Sequence, residues 1–196
     1  SVYAESSEDE LLEMMDYIKK RKDEQMMDGS YRRGKRKNKN LARQAATYLR
    51  KSNGPRVAVF EVNGFDTHAA QGGVDGTHTK CLVEMDEIIN NLKDNLQEAY
   101  NDTIILTVTE FGRTVKQNGG NGTEHGYGTA IFMAGGLIKK SQVHTDWPGL
   151  KKKELYQGRD LNATIDARSV YASAMSAVFD LDFKRIQKDV FWGEDL

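Results

Sequence analysis

The sequence predicts an α/β fold, and three consecutive stretches carry that prediction. A β-branched apolar run at residues 56–62 (RVAVFEV), an amphipathic stretch at 79–100 and a second apolar run at 102–109 (DTIILTVT) follow one another as strand, helix and strand. A unit of this spacing makes its two strands parallel and their connection right-handed.

Before residue 55 the pattern is helical and charge-rich. Residues 8–22 carry Leu11, Leu12, Met15 and Ile18 at helical spacing, with Ser7 as N-cap and Glu10 completing a capping box. Residues 28–40 (DGSYRRGKRKNKN) are polar and basic, and a mobile, solvated connection is expected there. No aromatic ladder accompanies that charge, so no nucleic-acid surface is expected. Residues 41–51 (LARQAATYLRK) form a second helix, ended by Asn53-Gly54-Pro55. The chain therefore divides into a helical segment, 1–54, and an α/β core, 55–196.

Within the core, the first strand closes at Asn63-Gly64. The helix over 79–100 aligns Leu82, Met85, Ile88, Ile89, Leu92 and Leu96 on one stripe. Residues 129–134 (TAIFMA), ended by Gly135-Gly136, form a third strand. A last helix over 166–179 turns Val170, Ala174, Ala177 and Val178 inward.

Composition excludes some functions. Lys and Arg number 28 against 29 Asp and Glu, a net charge of -1, so no global field favours nucleic acid or an anionic membrane. No apolar run approaches the roughly 20 residues of a membrane span. The single Cys81 cannot form an internal disulfide and is expected to serve packing. The chain opens SVYAESSEDE, without a basic stretch and apolar core, so either it is cytoplasmic or it is cut from something longer.

In an open α/β sheet, ligands bind at the carboxyl ends of strands. Asp66-Thr67-His68 follows the first strand, Glu110 to Arg113 follows the second, and Glu124-His125 precedes the third. Asp66 and His68, one residue apart, face the same way in extended chain, about 7 Å apart at Cα. Three carboxylates and two imidazoles on one rim need a cation or Arg113 to balance them. Oxygen and imidazole donors suit Zn²⁺ or Mn²⁺, or Mg²⁺ with fewer histidines. The candidate metal ligands are thus Asp66, His68, Glu110, Glu124 and His125. The QNGGNG stretch lacks the lysine of a phosphate-binding loop, and His78 and His144 have no comparable context.

The blocks GFDTHAAQ, TVTEFGRTVKQNGGNGTEHGYGTAIFMAGG, DWPGL and LYQGRDLNATIDARSVY resemble, in order, the bacterial domain-of-unknown-function 1501 family. That resemblance implies a three-layer αβα sandwich with a mainly parallel sheet, of the alkaline phosphatase and sulfatase type. It implies twin-arginine export, hence a periplasmic or extracellular protein, and a rim holding two divalent ions in the full-length protein. Asp66 and His68 match the first ligand pair, Glu110 or Glu124 or both take the acidic role, and His125 is the late imidazole. The nucleophile would belong to a missing N-terminal part of the same protein. The function implied is hydrolysis of phosphate or sulfate esters, on a small molecule or a glycan, with Arg113 holding the substrate oxyanion as the catalytic residue. The alternative is a non-catalytic exported binding or scaffold protein.

Overall fold

A computed structural model describes the backbone of residues 29–193 and 195–196, with side chains from residue 37 onward. The helix expected over 8–22 lies outside the described residues. Helix α1 (Gly29–Leu49) is followed by α2 (Thr77–Leu96), and a 3-10 turn at Gln97–Asp102 continues α2. The strands are β1 (Ile105–Leu106), β2 (Gly112–Arg113), β3 (His125–Gly126) and β4 (Met133–Ala134). Helices α3 (Ala167–Phe179) and α4 (Phe183–Asp189) complete the described chain.

The parallel sandwich predicted from the sequence is not found among the described residues. β1 pairs with β4 and β2 with β3, both antiparallel, in two-stranded sheets. Ile105 faces Ala134, Leu106 faces Met133, Gly112 faces Gly126 and Arg113 faces His125. Between these rungs Thr107 N donates to Phe132 O, and the Thr109 and Thr129 hydroxyls bond each other. From Leu106 to Gly112 is six steps and from Met133 back to Gly126 is seven, a single-residue offset, so both ladders belong to one long hairpin folded at the QNGGNG turn. The second and third predicted strands are its two legs, and a hairpin can only pair them antiparallel. The first predicted strand, 56–62, finds no ladder partner among the described residues. It still alternates, with Phe60 and Val62 toward the core and Val59 and Glu61 toward solvent.

The basic stretch 28–40 is also corrected: from Gly29 it is the first half of α1. Lys and Arg are good helix formers, and α1 has a partner to pack on. Ala42 and Ala46, fully buried, meet Ile88, Leu92 and Leu96 of α2 in the core, with Phe60, Val62 and Ile105 against its edge. Asn38 donates to Oε1 of the buried Glu84 at 2.7 Å, and Lys39 pairs with Glu87 at 3.2 Å, tying the basic end of α1 to α2.

The stripe along α2 runs through Cys81, Glu84, Ile88, Leu92 and Leu96, close to the predicted one. Cys81 is buried against the Gly64 carbonyl, 3.3 Å away, and burial pushes its thiol pKa up, as a packing role requires. On α3, Ala172 and Ala174 are buried, whereas Ala177 is exposed.

Leu96 is 1% exposed, so Leu96→Ala should lower the unfolding free energy by about 2–5 kcal/mol in urea titration. Asn38→Ala strands a buried carboxylate and should cost about 1–3 kcal/mol. Val59, 90% exposed, should tolerate alanine within roughly 0.5 kcal/mol. Equal losses at positions 59 and 96 would contradict this core.

Candidate metal centre

The hairpin turn is ordered by one side chain. Asn118 Oδ1 accepts from the backbone N–H groups of Gly120 and Gly122, each at 2.9 Å, and Asn118 N donates to Gly122 O at 2.8 Å. The segment following residue 66 then lies across the returning leg. Thr123 N donates to Thr67 O at 3.1 Å, Ala70 N to Gly120 O and Gln71 N to Asn121 O, both at 2.9 Å. The approach is close enough that a Cβ on Gly122 would stand 2.3 Å from the His68 carbonyl carbon. Only glycine permits this docking.

Docked in this way, Thr67 is buried and donates to Gln71 Oε1 at 2.8 Å, which also receives the Thr123 hydroxyl. Asp66 and His68, on the other side of the extended chain, face outward together, as their spacing predicts. Across β2 and β3, Arg113 lies opposite His125 and adds two more groups to the same place.

Three donor atoms converge there. Asp66 Oδ1 is 3.0 Å from His68 Nε2 and 3.1 Å from His125 Nε2, and the two Nε2 atoms are 3.2 Å apart. The three side chains are about half exposed. Ligand atoms on a tetrahedral ion with bonds of about 2.0–2.1 Å stand roughly 3.3–3.4 Å apart, and on an octahedral ion about 2.9–3.0 Å. The observed triangle falls between these, so Asp66, His68 and His125 can form one face of a metal's coordination shell. The His125 ring is braced by Phe111, stacked at 3.6 Å between centroids.

Arg113 reaches the same Asp66 oxygen that faces the two histidines. Its Nη1 donates to Asp66 Oδ1, its Nη2 to Thr123 O, and its Nε to Thr123 Oγ1 at 3.0 Å. Partial desolvation pushes the Asp66 pKa upward, but the Arg113 bond and the two histidines outweigh it and hold the carboxyl below its ordinary value. Glu124 lies on the far side of His68, its Oε2 2.8 Å from Nδ1 and its Oε1 accepting from Asn118 Nδ2. The Asn118 bond, then the His68 bond, lower the Glu124 pKa.

The fold therefore gathers Asp66, His68, Arg113, Glu124 and His125. Glu110, exposed ahead of β2, contributes no donor to the triangle. His78 lies half-buried, edge-on to Phe65 at 5.7 Å, and burial, then the Arg113 charge, lower its pKa. Asn118 was not singled out from the sequence. The available signal was its place ahead of Gly-Gly-Asn-Gly, a composition suited to an Asx-type turn.

The chain matches the family described as Protein of unknown function (DUF1501) over residues 3–188, and it belongs to that family. No curated protein and no solved structure matches it.

Because the Asp66 pKa is lowered on folding, its ion pair contributes stability that is present above the unfolded value, about pH 4. That contribution is lost as pH falls through the lower folded value. Wild type should thus be more stable than Asp66→Asn at pH 6, and the gap should close as pH falls below about 4. A gap that widens with acidification would exclude the Arg113–Asp66 pair as a net stabiliser.

Proposed function

For this family member we propose that Asp66, His68 and His125 hold a divalent transition-metal ion in a centre serving hydrolysis of phosphate or sulfate esters. The observation that carries this reading is the near-equilateral triangle of one carboxylate oxygen and two imidazole nitrogens, with edges of 3.0–3.2 Å. Two imidazoles and one carboxylate favour Zn²⁺ or Mn²⁺ over Mg²⁺, which prefers oxygen donors and retained water. When bound, such an ion supplies Lewis acidity toward the ester's phosphoryl or sulfuryl oxygen.

The chain's own residues support that chemistry. Asp66 brings the formal negative charge, and Arg113 holds the carboxylate in place through Nη1. The Arg113 side chain, only 18% exposed, also places fixed positive charge beside the centre, which suits an anionic ester. Half-exposed donors leave the site reachable by a substrate.

The second reading is a metal-holding binding or scaffold domain without turnover. The hydroxyl nearest the ligands in sequence, Thr67, is buried and committed to Gln71, so the hydrolase reading needs a nucleophile from elsewhere while the scaffold reading needs none.

Calorimetry with Zn²⁺ or Mn²⁺ should give saturable binding near one ion per chain. His68→Ala and His125→Ala should abolish it, while His144→Ala, at an exposed histidine beside Gln142, should not change it. Unchanged binding in His68→Ala would end the metal reading. Metal-dependent turnover of an aryl phosphate or aryl sulfate, lost in the same variants, would support the hydrolase; binding without turnover would favour the scaffold.

A further inference from the structure

The Glu124 carboxylate touches the triangle from outside it. Its Oε2 lies 2.8 Å from His68 Nδ1, the ring nitrogen turned away from Asp66 and His125. Its Oε1 accepts from Asn118 Nδ2, and Asn118 Nδ2 also donates to the His68 carbonyl at 2.8 Å. With Oδ1 receiving Gly120 N and Gly122 N, Asn118 uses both amide hydrogens and both carbonyl lone pairs. One asparagine therefore fixes the turn, the His68 backbone and the carboxylate that meets the His68 ring.

We infer that Glu124 is a positioning residue, held by Asn118, that sets the tautomer and orientation of His68 so that Nε2 presents its lone pair to the triangle. An ionised carboxylate can only accept, so the bond to Glu124 requires the proton to sit on Nδ1. A ring held as Nδ1–H has its ligating lone pair on Nε2, the atom 3.0 Å from Asp66 Oδ1. Carboxylates behind ligating histidines act in this way in metal centres generally. This assignment rests on the metal reading for its purpose, but the tautomer can be tested without any metal. It also separates two glutamates that sequence alone left equivalent, because Glu110 has no such relation to a ligand ring.

The test is long-range ¹H–¹⁵N NMR of the histidine rings in the metal-free chain, with Zn²⁺ calorimetry on the same samples. In wild type, His68 should be the Nδ1–H tautomer. Glu124→Ala should shift it toward Nε2–H while cooperative unfolding is retained, and should weaken Zn²⁺ binding about 10- to 100-fold. Glu124→Gln has one carbonyl oxygen for two donors, His68 Nδ1–H and Asn118 Nδ2–H, so it should restore the tautomer and the affinity only in part. Asn118→Ala should lie between wild type and Glu124→Ala in both readouts. An Nε2–H ring in wild type overturns the inference, as does wild-type affinity in Glu124→Ala. A loss equal to that of His68→Ala with the tautomer unchanged overturns it too, by making Glu124 a ligand. Should His68→Ala bind Zn²⁺ as wild type does, the metal reading fails while the NMR result still decides what Glu124 does.

Discussion

The site depends on one close approach, the backbone of His68 lying against Gly122. Residues 66–71 and the hairpin tip are about fifty positions apart in sequence, and among the described residues only the isolated Ala69–Asn121 bridge pairs them. What brings them together is a short set of backbone hydrogen bonds between 67–71 and 120–123, with the Asn118 amide reinforcing it. Each such bond is worth about 1 kcal/mol net. The register is specific because a side chain at position 122 would occupy the space of the His68 carbonyl. The approach carries Asp66 and His68 from one segment to Arg113 and His125 of another, and the donor triangle follows from it.

Much of the site was legible in the sequence, and the reason is local. Residues 66 and 68 share a side in any extended chain, whatever sheet surrounds them, so the Asp-x-His spacing keeps its meaning although the predicted parallel strand is absent. The architecture was less legible because a β-branched run has the same appearance in a parallel strand and in a hairpin leg. Distinguishing them here needed the pairing of Thr109 with Thr129 across the turn, and no single-chain pattern states a pairing. In sequence the glycine-rich stretch is marked by what it lacks, a phosphate-binding lysine; in the fold it provides a hairpin tip bare enough to be crossed. Glu110 and Glu124 were indistinguishable for the same reason: which glutamate reaches a histidine is decided by the crossing.

The helical layer shows a different limit. The run around residues 28–40 has the charge density of a solvated loop, and local composition gives it no face to bury. Its neighbours supply one, since Ala42 and Ala46 pack flush on Ile88, Leu92 and Leu96. Small residues at this seam allow α1 and α2 to lie close, and the helix then extends backward into the basic stretch, where Asn38 and Lys39 reach Glu84 and Glu87. Helices gain most of their stability from such packing rather than from propensity. The stripe on α2 was legible because it contains its own burial pattern; the register of α1 is set by α2.

The triangle also constrains its own protonation. Three acceptor atoms cannot rest within 3.2 Å of one another with only lone pairs between them. If Glu124 keeps the His68 proton on Nδ1, the simplest arrangement without a metal is a hydrogen on His125 Nε2, pointing between Asp66 Oδ1 and His68 Nε2. Arg113 then offsets the remaining repulsion by donating to the same Asp66 oxygen. A neutral His125 would have to carry that hydrogen on Nδ1 before its Nε2 could join the ligand set, so ion binding would be coupled to a tautomer change in His125 rather than to net proton release. Arg113 acts in both directions here. It holds the carboxylate in its ligating pose, and it also draws on the charge that the ion must share. In the proposed centre, ion affinity would therefore reflect the difference between two cations at Asp66, not the strength of either alone.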